Sequence, residues 1–441
     1  MPTLPKTSSS TPSFFRTSYK KKSTTSSWRS SRFAFGRKLE PVAEGSHGFA
    51  PPRAHHTATL TAPTSTSDRL SCLLDSFSRF ARDKSDISTI GEHICKMVLI
   101  FIGKSGRTKA ECAEFSGIKP KQYELLAYFL EESRLKTRLS YIAEENILIV
   151  EMPSAVHEAP LVPFHAAFIC FFRSIDFNRL LLNVRVLCNT ETSSNNPIIP
   201  DLRVSIQDMT SITKKVYVSV LRETALSQNR RTLLKKFRNT IKLNPGLLMA
   251  IMAEVDEITG YRSPKKKSCA MSMLRETSPR SSDIFNSATG TLPALDNPVK
   301  VEGHTWCSIR SIRFEVWVHG VEPIDLDTTD RNLVACGTLY PVEDMIALHA
   351  MIQKGVWAIR EQLISLSQGM NPHVDANAMR APPFILDNDE IVTTIAGAMS
   401  ETAHHRYMAW YMEQRVVELA KRDAHAAQIY SKELPVFHMV L

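Results

Sequence analysis

No acidic residue occurs before Glu40, no two cysteines form a CxxC pair, and no apolar run reaches the ~18 residues of a membrane-spanning helix. The best apolar runs, Met97 to Ile102 and Leu161 to Phe172, are short or interrupted by Pro163 and His165. The cysteines (Cys72, Cys95, Cys112, Cys170, Cys188, Cys269, Cys307, Cys336) are scattered, with no Cys/His spacing suited to zinc, and read as small hydrophobes in a reducing compartment. A phosphate-binding loop is missing too: Gly103-Lys104-Ser105 would need a glycine at position 98, where Val98 stands. No internal repeat and no local Ser/His/Asp or Cys/His signature is visible. His55-His56 and His404-His405 lack further ligands at metal spacing. The chain reads as soluble and intracellular.

What is there is ample core material: 43% of 441 residues are apolar, enough for two or three structural units. The formal charge of +9 sits in the N-terminal tail, where Lys6, Arg16, Lys20, Lys21, Lys22, Arg29, Arg32, Arg37 and Lys38 meet no acid. The remainder is balanced, so the overall basicity describes the tail. Its Ser/Thr and Arg content resembles a mitochondrial transit peptide. Lys20-Lys21-Lys22 and Ser263-Pro264-Lys265-Lys266-Lys267 resemble nuclear import signals and favour the nucleus slightly. A plain disordered tail is the alternative.

Pattern and composition divide the chain into a disordered basic tail (1–67), a helical lead-in (68–140), an α/β core (141–258), a disordered insertion (259–304), a sheet extension with a helix (305–368) and C-terminal helices (369–441). Within the core, Asn146 to Glu151 (NILIVE) reads as a strand. A helix follows from about Val156 to Phe177, its apolar face carrying Leu161, Phe164, Phe168, Phe171 and Phe172. Strands follow at Leu181 to Cys188, Ile199 to Ile206 and Lys215 to Thr224. Asn229 to Lys242 is a basic amphipathic helix stopped by Asn244-Pro245-Gly246, and Leu247 to Val255 is a buried strand.

The order helix, three strands, helix, strand places three acids at element ends. Glu158 begins the helix, Asp201 of Pro200-Asp201 opens the second strand, and Glu223 ends the third. This arrangement, over roughly Asn146 to Asp256, resembles the PD-(D/E)XK superfamily, whose restriction-endonuclease-like core is an αβββαβ unit with a mixed sheet. The resemblance implies Mg2+ or Mn2+ held by Glu158, Asp201 and Glu223, and hydrolysis of DNA phosphodiesters by a metal-activated water. The family's lysine stands two residues after the second acid, on the same strand face. Here that place is Ala225.

Some branches of the superfamily take the lysine from the next helix. Glu223-Thr224-Ala225-Leu226-Ser227-Gln228 followed by Lys235-Lys236 resembles that arrangement, which makes Lys236 the candidate and Lys235 the runner-up, with Gln228 as a polar ligand or water positioner. Arg230, Arg231, Lys235 and Arg238 on the basic helix are the expected phosphate contacts for DNA. Two other readings stay open. One is a member of the same fold that binds nucleic acid or protein without chemistry, as Ala225 argues. The other is an unrelated α/β interaction protein in which Pro-Asp merely opens a strand and the basic stripe is a solvated face.

Overall fold

The computed structural model describes residues 66–433 apart from 85–88, 104–110, 134–136, 192–196, 211, 214, 227–229, 276–277 and 291–292. The basic tail and Gln228 lie outside the described residues.

The lead-in is helical only in part. α1 (Thr66–Lys84), α2 (Thr89–Gly103) and α3 (Pro120–Glu132) pack on a three-stranded antiparallel sheet of β1 (Cys112–Ser116), β2 (Arg138–Ile142) and β3 (Ile147–Glu151), in the order β1-β3-β2. α3 opens with Pro120 in its first turn, where the missing N–H costs nothing. Phe77, Leu99, Leu126, Phe129, Tyr141 and Leu148 form its core. NILIVE is therefore a strand, but one of this small sheet and not of the central one. β1 and β2 are short half-polar segments whose pairing comes from β3, which explains why periodicity alone misses them.

The central sheet is mixed and six-stranded, ordered β11-β10-β7-β6-β5-β4. α4 (Ala155–Glu158) and α5 (Leu161–Ser174) lead into β4 (Leu182–Cys188), β5 (Leu202–Asp208) and β6 (Val216–Leu226), each antiparallel to the last. α6 (Arg230–Leu243) then crosses over to β7 (Met249–Glu257), parallel to β6. Parallel neighbours need such a crossover because a tight turn cannot join them. The order helix, three strands, helix, strand thus appears in the folded chain. Ala155–Ser174 is apolar enough, by length and composition, to cross a membrane, yet more than half of it is buried in the protein core. Phe164, Phe168, Phe171 and Phe172 are buried there, each contributing on the order of 1.5–3 kcal/mol.

The described residues of the segment expected to be a disordered insertion are folded. The segment contains α7 (Cys269–Met273), α8 (Ser282–Ser287) and a hairpin of β8 (Val299–Val301) with β9 (His304–Cys307). Its large side chains Tyr261 and Phe285 gather with Trp306, just beyond it on β9, against Tyr407 and Trp410. Low local hydrophobicity sufficed because the apolar partners come from over a hundred residues away. β10 (Ile309–Val318) and β11 (Val334–Tyr340) extend the sheet as expected. α9 (Ile346–Met370) covers it, close enough that a Cβ on Gly355 would lie 2.4 Å from the Met249 sulfur. One helix, α10 (Asn388–Glu433), closes the described chain.

Alternation along β6 sorts its side chains. Val220 and Leu226 join the core formed with α5 and α9, while Leu221 and Ala225 join the smaller core under α6 with Leu233, Phe237 and Ile241. Arg222 shares the first face, where its guanidinium lies 4.8 Å from the Phe164 ring. Glu223 faces α6.

Candidate functional site

Asp201 stands immediately before β5, beside the end of β6, because the antiparallel register sets Leu202 opposite Arg222. It is 1% exposed, and its carboxylate accepts the Thr224 backbone N–H on one oxygen. The other oxygen takes the guanidinium of Arg138 from β2 and lies 3.4 Å from His157 Nε2 of α4. Burial alone would raise the Asp201 pKa, but His157 and Arg138 hold it well below the carboxylate range. Burial likewise works against charge on His157, and Asp201 overrides it, so that histidine titrates above its usual value. The second arm of Arg138 reaches Glu158, so one guanidinium spans two of the three acids predicted to hold metal.

The third acid has a different cation. Lys236 of α6, 1% exposed, donates to Glu223 at 2.9 Å and to Glu151, the last residue of β3, also at 2.9 Å. Burial opposes the ammonium charge, but the two carboxylates prevail and raise the lysine's pKa. One ammonium cannot fully neutralise two buried acids. Burial, with Asp201 and Glu151 as anionic neighbours, pushes Glu223 up to about 8. Arg222 is fully buried: Nη1 donates to Thr224 Oγ1, while Nε and Nη2 find no acceptor among the described residues. Its burial lowers its pKa to about 10.

The fold therefore brings Asp201, Glu223 and Lys236 into one buried cluster, with Glu158 half-buried at its edge. It adds Arg138, Glu151, His157 and Arg222, which the sequence pattern did not assign to the site. A shared signal did exist for Glu151: like Glu223, it is an acid ending an apolar strand. Lys235 is elsewhere, paired with Glu114 at 3.3 Å and Glu145 at 2.8 Å.

The expected phosphate contacts lie on the outer side of α6. Arg231 is exposed, Arg230 is ion-paired with Glu254 and Glu315, and Arg238 with Asp327. Glu315 and Asp327 serve among these counter-ions.

No protein-family model, curated protein or solved structure matches the chain.

A divalent ion does not fit the cluster as it is arranged. Among the described residues no three His, Cys, Asp or Glu side chains converge as a metal-ligand set. Arg138 occupies the oxygens of Asp201 and Glu158 that would have to turn toward an ion, and Lys236 occupies Glu223. A further +2 charge would have to enter beside Arg138, Lys236 and Arg222 in a medium of low dielectric, where like charges repel strongly.

The titrations have a measurable consequence. Glu223, raised from an ordinary 4.5 to about 8, stabilises the fold fully below pH 4.5 and loses that contribution as pH rises through about 8. His157, also raised, acts in the same direction above its ordinary 6.5. Asp201, depressed, contributes above its ordinary 3.8 and loses that only in strong acid. Thermal melting should therefore show declining stability from about pH 5 to about pH 9. Glu223→Gln should flatten that decline, and an equally steep profile in the variant would contradict the assignment.

Proposed function

We propose that this chain is a restriction-endonuclease-like module that binds nucleic acid through the outer face of α6 without hydrolysing it. The observation that carries the reading is Arg138, whose guanidinium joins Glu158 to Asp201 and makes the acids an internal ion-pair hub. The likeness to that fold rests on the element order and on Asp201 and Glu223 standing at adjacent ends of neighbouring strands. Binding rests on Arg230, Arg231, Lys235, Arg238 and Lys242. Their exposed ion pairs are individually worth about 0–1 kcal/mol, little enough for a phosphate backbone to displace the acids.

The module should bind duplex DNA at low salt, with affinity falling steeply as salt rises, and should show no Mg2+- or Mn2+-dependent cleavage. Arg231→Ala with Arg238→Ala should weaken binding at both positions without loss of fold. Cleavage that needs Mn2+ and vanishes in Asp201→Asn would overturn the reading.

A second reading, a Mg2+- or Mn2+-dependent nuclease with Asp201, Glu223 and Glu158 as ligands, is favoured by one feature. The Lys236 ammonium lies 2.9 Å from Glu223, on the face where Ala225 replaces the family's lysine. It requires Arg138 to leave the acids when metal and substrate arrive. The same cleavage assay separates the two.

A further inference from the structure

Asp201 and Glu223 mark one end of β5 and β6. At the other end, on the order of 20 Å away along the strands, the side chains that meet solvent are apolar. Leu180, just before β4, is 85% exposed, and Ile212, in the turn between β5 and β6, is 102% exposed. Met209 and Val216 are 39% and 49% exposed. Backbone pairing brings the four together. The Met209 N–H donates to the Leu181 carbonyl at 2.9 Å, the Asp208 N–H donates to the Lys215 carbonyl at 2.9 Å, and Val216 stands opposite Gln207. Three neighbouring strand ends, spaced by about 4.8 Å, thus form one apolar tip.

Cations flank this tip. Arg173, Arg179 and Lys215 are exposed, and none of the three has a carboxylate partner among the described residues. The Arg179 guanidinium lies 4.6 Å from the Phe177 ring and donates to the Arg173 and Ile175 carbonyls, while the Lys215 ammonium lies 4.9 Å from the Tyr217 ring. Aromatic faces therefore hold both charges beside the apolar side chains. The sequence has no acid from Phe177 to Thr190, nor from Met209 to Arg222. Of the acids immediately before these stretches, Asp176 is exposed and Asp208 is closed on its own turn. The Asp208 carboxylate accepts the Thr210 N–H at 2.7 Å and its hydroxyl at 2.6 Å.

Exposed apolar clusters of this kind mark contact surfaces, and the charge pattern selects the occupant. At a bilayer surface, protruding aliphatic side chains enter the acyl boundary, while Lys and Arg lay their stems along it and keep their charges among the headgroups. A protein interface instead gathers its anchors in a packed, desolvated centre, whereas Leu180 and Ile212 project into water from separate turns. We propose that this tip docks the protein on an anionic lipid surface, inserting Leu180, Met209, Ile212 and Val216 and setting Arg179 and Lys215 on the acidic headgroups. So small an apolar payload makes the attachment reversible and salt-sensitive. It is independent of the nucleic-acid reading, which uses the outer face of α6.

The test is co-sedimentation of the full chain with vesicles of phosphatidylcholine alone and of equal parts phosphatidylcholine and phosphatidylserine. Binding to the anionic vesicles, weakened by salt, is expected. Leu180→Ser with Ile212→Ser, at positions exposed enough to leave folding intact, should weaken it by about tenfold or more. Arg179→Gln with Lys215→Gln should also weaken it about tenfold. Insertion itself is read with Ile212→Trp, whose emission should be quenched by lipids brominated on the acyl chain beyond the quenching seen in the native chain. The basic N-terminal sequence is also drawn to anionic lipid, so vesicle binding that the Leu180 and Ile212 substitutions leave unchanged belongs to that sequence and overturns the proposal. Absence of binding to the anionic vesicles at low salt overturns it as well. Self-association that these substitutions abolish, without vesicle binding, would assign the tip to a second copy of the chain instead.

Discussion

Replacing Lys236 with methionine should destabilise the protein by about 3–5 kcal/mol, the range for removing one partner of a buried ion pair. The magnitude follows from what remains. Glu151 and Glu223, both about 2% exposed, would lose the ammonium that donates to each at 2.9 Å. One or both carboxyls would then take up a proton to avoid a buried unpaired charge, so the loss should be larger at high pH. Denaturant melts at about pH 6 and about pH 9 would measure both effects. Combining Lys236→Met with Glu151→Gln and Glu223→Gln removes the stranded charges and should recover part of the stability. If Lys236→Met melts like the native chain, the ammonium is not buried between these acids and the cluster is arranged differently.

The second large effect is expected for Trp306→Ala, at about 3–5 kcal/mol, the usual cost of truncating a fully buried aromatic side chain. Trp306 touches Tyr261, Phe285, Tyr407 and Trp410, so it ties the folded insertion and β9 to α10. Deleting it opens a void at that junction. Hydrogen exchange should show the loss first around Tyr407 and Trp410 on α10, with β5 and β6 protected until global unfolding. Uniform loss of protection would mean that the insertion is not a separately docked layer.

Local pattern carried the central elements well. The β-branched run of β6, the phenylalanine-rich face of α5 and the Asn-Pro-Gly stop after α6 are each decided within a few residues, and the order helix, three strands, helix, strand follows from them. Glu158, Asp201 and Glu223 could be chosen because each sits at an element end or near one, and Lys236, in the middle of α6, only through the resemblance of the helix that follows Glu223. Arg138, Glu151 and the pairing of β1 and β2 could not, because nothing adjacent in sequence marks them. Arg138 enters the cluster only through its register opposite Glu151 in the small sheet. The insertion was misread for the same reason: its composition is polar, and its aromatic partners lie on α10.

Sequence by itself settled the alternation at the end of β6, from Val220 to Leu226, which puts Glu223 and Ala225 on one face and Arg222 on the other. This holds because side-chain direction in a strand depends only on parity. Tertiary structure alone decided what neutralises the acids. Pair energies depend on distance and burial, and both arise when β2, β3, α4, β5, β6 and α6, spread over about a hundred residues, converge on one dry interior where each buried charge requires a partner.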